Sequence, residues 1–230
     1  MKAADGPTMS DFPFSMVGFD LDGTLVDTKG DLGVAVNHAL GLAGRDGVPL
    51  DKVEMLIGGG TRLMLTRALD VTGGPVSPEE FERLYPEVIN HYEANIAIHS
   101  RPYPGCLAAL ESLAELGCAL SVVTNKPEHL ALKLLKELDM LERFHCVIGG
   151  DTAPKPKPEP DPILGAIYRS GGDGQFAMVG DSSFDVGAAR AAGVPAVVLS
   201  FGYHDMPVQD MRADIVIDHF DQLIPALRSL

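Results

Sequence analysis

Residues 14–27 read Phe14-Ser15-Met16-Val17-Gly18-Phe19-Asp20-Leu21-Asp22-Gly23-Thr24-Leu25-Val26-Asp27, and this stretch decides the fold. The apolar run 16–19 is of the kind that makes a buried strand, and it stops at Asp20. Side chains on a strand alternate faces, so Asp20 and Asp22, two apart, start out on the same face and converge at its carboxyl end. Two carboxylates that close repel each other unless a cation sits between them. Gly23 lets the backbone turn sharply and leaves amides uncovered. The combination suits Mg²⁺ and a phosphate held at one strand tip. An ordinary acidic turn would use the same residue types. A calcium loop would also begin Asp-x-Asp-x-Thr, but Leu25 stands where that loop needs Gly and Asp31 where it needs a bidentate Glu. A phosphate-accepting receiver domain clusters acids too, without explaining the two-residue spacing.

Working outward, the chain divides by rhythm. Positions 34, 35, 38, 39 and 42 recur at helix spacing after Asp27, and Gly44, Gly47 and Pro49 then break the chain. A second short helix is expected over 50–57. Gly58-Gly59-Gly60 opens a third, 61–69. Ser77-Pro78-Glu79-Glu80 is a helix start, with a Ser cap, Pro at the first position and Glu three residues after Ser, and that helix is expected to reach about residue 97. No convincing strand lies within 29–100. From residue 101 short apolar runs at 119–123, 146–148, 176–179 and 196–199 alternate with helical stretches, and 215–217 reads as an edge strand. Such alternation implies a parallel, doubly wound sheet. The fold class expected is therefore α/β: a Rossmann-like core made of 12–28 plus 101–230, with an inserted α-helical cap of 29–100. In open α/β sheets ligands bind beyond the carboxyl ends of the strands, so an insertion leaving the first strand's tip hangs over the site as a lid. Residues 1–11 read as a flexible tail without the apolar centre of a signal peptide.

Bulk properties narrow the partners. The 230 residues carry 32 acids against 18 Lys and Arg, a formal charge of −14. Such a surface repels nucleic acid and anionic membrane, and any anionic substrate must be held by local cations, amides or metal. No apolar run reaches membrane-spanning length. Cys106, Cys118 and Cys146 form no CxxC pair and read as reduced, buried small hydrophobes of a cytoplasmic protein.

Three further polar segments end apolar runs. Thr124-Asn125 can bond phosphate oxygens or simply cap a helix. In Lys155-Pro156-Lys157-Pro158-Glu159-Pro160-Asp161-Pro162 alternating prolines stiffen the chain, so a lysine there is aimed at its target, unless the segment is only a solvated linker. In Gly180-Asp181-Ser182-Ser183-Phe184-Asp185, Asp181 can complete a Mg²⁺ site, and Asp185 can orient Lys157 or serve as a first-turn helix acid.

With all four segments in view, the chain resembles the haloacid dehalogenase-like superfamily of phosphohydrolases. The resemblance rests on Asp20-Leu21-Asp22-Gly23-Thr24, Thr124-Asn125, Lys157-Pro158 and Gly180-Asp181-Ser182-Ser183-Phe184-Asp185, and covers about 14–230. Within it the segments at 20–28, 157–162 and 180–185 are most similar to the phosphoglycolate phosphatases. The resemblance implies a Mg²⁺-dependent phosphomonoester hydrolase acting on a small phosphorylated metabolite, 2-phosphoglycolate first, as a monomer or homodimer. It implies Asp20 as nucleophile, Asp22 as general acid and base, Thr124, Asn125 and Lys157 as the phosphate clamp, and Gly23 as an amide donor. Mg²⁺ would then be held by Asp20, the Asp22 carbonyl and Asp181, with Asp185 in support; Lys157 is chosen over Lys155 because the family lysine precedes the Pro-x-Pro-x-Pro run. The Gly58–Gly60 loop and Arg62 are candidates for the leaving group's carboxylate, although a flexible turn and a surface Arg would look the same. Other expectations on the same fold are a sugar-phosphate phosphatase, a pyrophosphatase or a phosphosugar mutase, the last disfavoured because no positioned basic pair stands out in the cap. A receiver-type signalling module is the reading from a different class.

Overall fold

The computed structural model describes residues 12–172 and 174–230; the expected tail at 1–11 lies outside the described residues. Strand β1, Met16–Phe19, is buried along its whole length and forms the middle of a six-stranded parallel sheet. On one side it pairs with β4 (Ala119–Val123), which pairs with β5 (Cys146–Ile148). On the other it pairs with β6 (Phe176–Gly180), followed by β7 (Ala196–Leu199) and β8 (Ile215–Ile217). The sheet order is thus β5-β4-β1-β6-β7-β8, and the chain leaves β1 in both directions. Ligand crevices form beyond the strand tips where the order reverses in this way. Ala119–Val123, Cys146–Ile148, Ala196–Leu199 and Ile215–Ile217 coincide with the expected runs.

Period-two alternation divides β1 between two apolar layers. Val17 and Phe19 join a core that includes Leu110 and Leu113 of α5 (Cys106–Glu115), Leu130 and Leu134 of α6 (Glu128–Glu137), and Leu223 and Leu227 of α10 (Leu223–Arg228). Met16 joins the opposite layer, with Ile163 and Ala166 of α7 (Asp161–Arg169) and Val186 and Ala189 of α8 (Ser183–Ala192). A short helix α9, Val208–Met211, falls where no helix was expected. Cys106 and Cys118 are buried as expected, and burial pushes their thiols up to about 12 and about 11. Cys146 is only half-buried.

Between the first strand and the rest of the sheet stand four helices: α1 (Lys29–Leu42), α2 (Leu50–Val53, continued by one 3₁₀ turn), α3 (Thr61–Val71) and α4 (Pro78–Ala94). Ser77 caps α4 as its sequence implies, accepting a hydrogen bond from the Glu80 amide at 3.2 Å. This helix stops at Ala94, short of the expected 97. In α1 the buried stripe is Leu32, Val36, Ala39 and Leu40, whereas Val34 and Leu42 face solvent. The spacing found the helix and mistook part of its face: Ala35 and Ala39 are buried as expected, but the stripe continues through Leu32, Val36 and Leu40 rather than 34, 38 and 42.

Two features tie this helical cap to the sheet. Val26–Asp27 (β2) pairs antiparallel with Arg101–Pro102 (β3), so the outgoing and returning chains form a two-stranded ribbon. The buried Asp31 accepts hydrogen bonds from the His99 and Ser100 amides and, at 2.6 Å, from the Ser100 hydroxyl. Asp31 therefore does more than serve the dipole of α1: it satisfies the amides of the returning chain. Among the described residues no helix is long and apolar enough to cross a membrane.

Candidate active site

The strand tips of β1, β4 and β6 bring the predicted polar residues into one cleft. Asp20, just beyond β1, receives the Leu21 amide on Oδ1 at 2.7 Å. Lys157 Nζ lies 3.1 Å from the same oxygen. That ammonium is buried and further fixed by Asp185 Oδ1 at 2.6 Å and the Val123 carbonyl at 2.7 Å. Lys155, by contrast, is exposed and among the described residues pairs with Glu159 alone, at 4.0 Å. The stiff proline segment thus aims one of its two lysines at Asp20.

Asp185 does both of the things considered for it. One oxygen holds Lys157, and the other accepts from the Asp181 and Ser182 amides and the Ser182 hydroxyl, closing a capping box at the start of α8. Asp181 is buried, with Thr24 donating to Oδ1 at 2.6 Å and the Tyr203 amide to Oδ2 at 2.6 Å. Gly23 takes a backbone φ of +84°, and a Cβ there would come within 2.4 Å of Asp181 Oδ2. Only glycine gives both this turn and this approach. Its amide, however, donates to the Val26 carbonyl at 3.0 Å, so the expected phosphate donor at Gly23 is already used within the turn.

Thr124 accepts the Lys126 amide on its hydroxyl oxygen at 3.2 Å, which leaves the hydroxyl proton free to donate into the cleft. Asn125 differs from expectation. Its side chain bonds the Lys157 backbone at both ends, donating to the carbonyl and accepting from the amide at 2.9 Å each. It positions Lys157 and, among the described residues, keeps one side-chain N–H unpaired at the edge of the cleft it lines. Arg62 lies away from the cleft: its guanidinium is bidentate to Glu82 at 2.8 and 2.9 Å and stacks over Tyr85. The guanidinium is held by a partner twenty residues on, in α4.

Three groups escaped sequence reasoning. Lys126 is buried and contacts Asp22 through Oδ1 at 2.9 Å and Oδ2 at 3.0 Å, while Tyr92 of α4 lies 4.3 Å beneath the ammonium. Its place directly after Thr124-Asn125, at a strand tip, was the available signal. Arg67 donates to the carbonyls of Leu56, Ile57 and Gly58, pinning the mouth of the glycine loop. Tyr203 donates from its hydroxyl to Asp27 Oδ1 and accepts there the amides of Thr28 and Lys29. Nothing in the sequence marks either contact.

A cavity of about 40 Å³ lies over Asp20, Asp22, Thr124 and Lys126, roofed by Gly58, Gly59 and Gly60. A smaller one of about 20 Å³ adjoins it and reaches Lys157, Asp181 and Phe184. Gly59 and Gly60 hold φ of +76° and +92°; a Cβ on Gly59 would meet the Phe184 ring at 2.9 Å, and one on Gly60 the Asn125 carbonyl at 3.2 Å. The glycine backbone therefore lies directly against the Phe184 ring and the Asn125 carbonyl.

The electrostatics call for a cation. Burial pushes the Asp20 carboxyl up to about 6, with Asp185 and Asp22 adding to the effect and Lys157 opposing it. Asp181 is held well above the usual carboxylate range by burial and by Asp185 and Asp20. Burial would lower the Lys157 ammonium, but Asp185 and Asp20 outweigh it and raise it. Oxygens of Asp20, Asp181 and Asp185 lie within 4.8 Å of one another, and two of these carboxylates contact one ammonium. A hard divalent ion taking oxygen ligands fits this donor set. Asp185 already takes Lys157 and three donors at the start of α8, whereas Asp20 and Asp181 take two each, which leaves these two the more available ligands.

The haloacid dehalogenase-like hydrolase profile matches residues 17–199, from β1 through β7, and the chain belongs to this family. It is 43% identical over 210 residues to the phosphoglycolate phosphatase of Agrobacterium fabrum, covering 91% of this chain and 90% of that one. To the phosphoglycolate phosphatase of Caulobacter vibrioides it is 40% identical over 214 residues, covering 93% and 90%. Among solved structures, a predicted phosphoglycolate phosphatase from Haemophilus somnus superimposes with a TM-score of 0.86 at 31% identity, covering 96% of this chain and 99% of that one.

Proposed function

We propose that the chain is a Mg²⁺-dependent phosphomonoester hydrolase that works through an aspartyl-phosphate, with 2-phosphoglycolate as its substrate and glycolate and phosphate as products. The observation that carries the reading is Asp20 at the tip of β1, with Lys157 3.1 Å from its Oδ1 and Asp22 two residues on. Similarity to the phosphoglycolate phosphatases supports the choice of substrate.

In this reading Asp20 attacks phosphorus, and the ester oxygen departs as the new acyl-phosphate bond forms. Asp22 gives its proton to the departing alkoxide and then takes one from the water that cleaves the intermediate. Lys157, held by Asp185 and Val123 O, stabilises charge on the phosphoryl oxygens, and the Thr124 hydroxyl donates to them. Asn125 holds Lys157 in place through its backbone. Asp20, Asp181 and the Asp22 carbonyl would hold Mg²⁺, which when bound offsets the repulsion between carboxylate and phosphate. The reading includes a core of 12–28 plus 101–230 and a cap of 29–100; the β2–β3 ribbon at the two crossings supports that division. A cytoplasmic monomer or homodimer acting on a free metabolite completes it.

Phosphate release from a panel of phosphoglycolate, sugar phosphates, pyrophosphate and nucleotides, with Mg²⁺ and with Asp20→Asn protein as the blank, tests the proposal. Preference for phosphoglycolate is the expected result. Even activity across sugar phosphates would remove the glycolate assignment, and no release at all would remove the phosphatase.

A further inference from the structure

Two lysines serve two acids in the cleft, and only one pair has a role so far. Lys157 stands against Asp20, where the phosphate goes. Lys126 stands against Asp22, where the leaving group goes. The side chain of Lys126 is 3% exposed, and a buried ammonium is costly unless anions compensate it. Among the described residues Asp22 is the acceptor of its hydrogen bonds, two contacts for three donors, while the Tyr92 ring packs against it. The larger cavity is lined by one cationic side chain among the described residues, and it is Lys126. Arg62 is turned away and paired.

We infer that Lys126 binds the carboxylate of the leaving group and so sets the enzyme's substrate specificity. The inference rests on the phosphoglycolate reading above. A general acid must approach the leaving oxygen within hydrogen-bonding distance. In phosphoglycolate one methylene separates that oxygen from the carboxylate carbon, so the carboxylate oxygens lie roughly 3 Å from it by ordinary bond lengths. Lys126 Nζ is 2.9 Å from Asp22 Oδ1, one hydrogen bond beyond the acid that serves the leaving oxygen. An ammonium so placed meets a carboxylate one carbon away from the ester, and offers no comparable bond to a neutral substituent there. Tyr92 belongs to α4 of the cap, so the seating of this ammonium depends on the cap's packing over the sheet.

The test compares phosphoglycolate with 2-hydroxyethyl phosphate, in which a neutral alcohol replaces the carboxylate. Wild-type protein is expected to favour phosphoglycolate in kcat/KM. In Lys126→Met and Lys126→Gln the ratio of the two kcat/KM values should fall on the order of 100-fold, the usual worth of a hydrogen bond to a charged group, with KM for phosphoglycolate rising. Circular dichroism and thermal melting show whether each variant is folded, and one folded variant suffices. An unchanged ratio, with both substrates losing equally, overturns the inference and leaves Lys126 as a support for Asp22. Wild-type protein without a preference for phosphoglycolate overturns the substrate reading itself, and that failure is visible before any variant is made.

Discussion

The floor of the cleft and its roof are built in opposite ways. On the floor nearly every polar atom is already bonded: Lys157 has three partners, Asp181 two donors, and Asp185 bonds Lys157 and three donors of the 181–182 segment. The roof is three consecutive glycines at positive φ, held from behind by Arg67 and touching the sheet through Phe184 and the Asn125 carbonyl. A saturated network has few alternative arrangements, whereas a glycine loop is free to change. Under the proposed function the contrast would put the chemistry on the strand tips and leave recognition to the insertion, with Lys126 at the seam between them.

The comparison can be broken most severely at the floor. Asp20→Asn should lower turnover by at least about 10⁴-fold while the protein stays folded, as loss of a nucleophile does. Retained phosphate release in that variant would refute the covalent route. Lys157→Met should come next. It leaves Asp20 and Asp185 buried without their counter-ion, a change that costs about 3–5 kcal/mol in comparable buried pairs. Urea unfolding measures it, and a loss within error would show that the floor tolerates its own repulsion.

Metal addition sharpens the same contrast. Asp20 and Asp181 have raised folded-state pKa values, so protonated carboxyls favour the folded state at low pH. That contribution is lost as pH rises through the folded value, about 6 for Asp20. A cation replaces the lost protons, so the Mg²⁺-induced rise in Tm should be larger at about pH 7.5 than at about pH 5. Equal shifts at both would mean that the ion binds elsewhere.

The roof should respond more mildly. Gly59→Ala forces a strained φ and a clash with Phe184, and should raise KM roughly tenfold while kcat changes less, since strain of this kind is worth about 1–3 kcal/mol. A kcat loss as large as the KM change would make the loop part of the floor. Arg62→Ala is the smallest expected effect, within about threefold in kcat/KM, because an exposed pair contributes little. A large loss would return Arg62 to the substrate.

Legibility in the sequence followed the same division. The six strands of the main sheet, with Asp20 and Asp181 beyond two of them, could be read because apolar runs end abruptly, and because a strand tip is a local property. The Pro-rich segment could be read as a pointer, and its second lysine is the buried one. What escaped depends on residues far apart in the chain. Lys126 meets Asp22 across 104 positions, Tyr203 meets Asp27 across 176, and Arg62 meets Glu82 across 20. The β2–β3 ribbon escaped because two residues on each side are too short to show alternation. Gly23 was found at the right place but its amide is taken by Val26, and Asn125 has a second partner in the Lys157 backbone, since sequence shows donors without showing which acceptors reach them first.

One residue spans the two regions compared above. The Tyr203 amide holds Asp181, and its hydroxyl holds Asp27, Thr28 and Lys29, where the chain passes from sheet to insertion. Linkage between two such events is reciprocal. Under the proposed Mg²⁺ site, any change of backbone at Asp27–Lys29 that alters the affinity of Asp181 for the ion would be altered by the ion to the same factor, with Tyr203 as the shared contact.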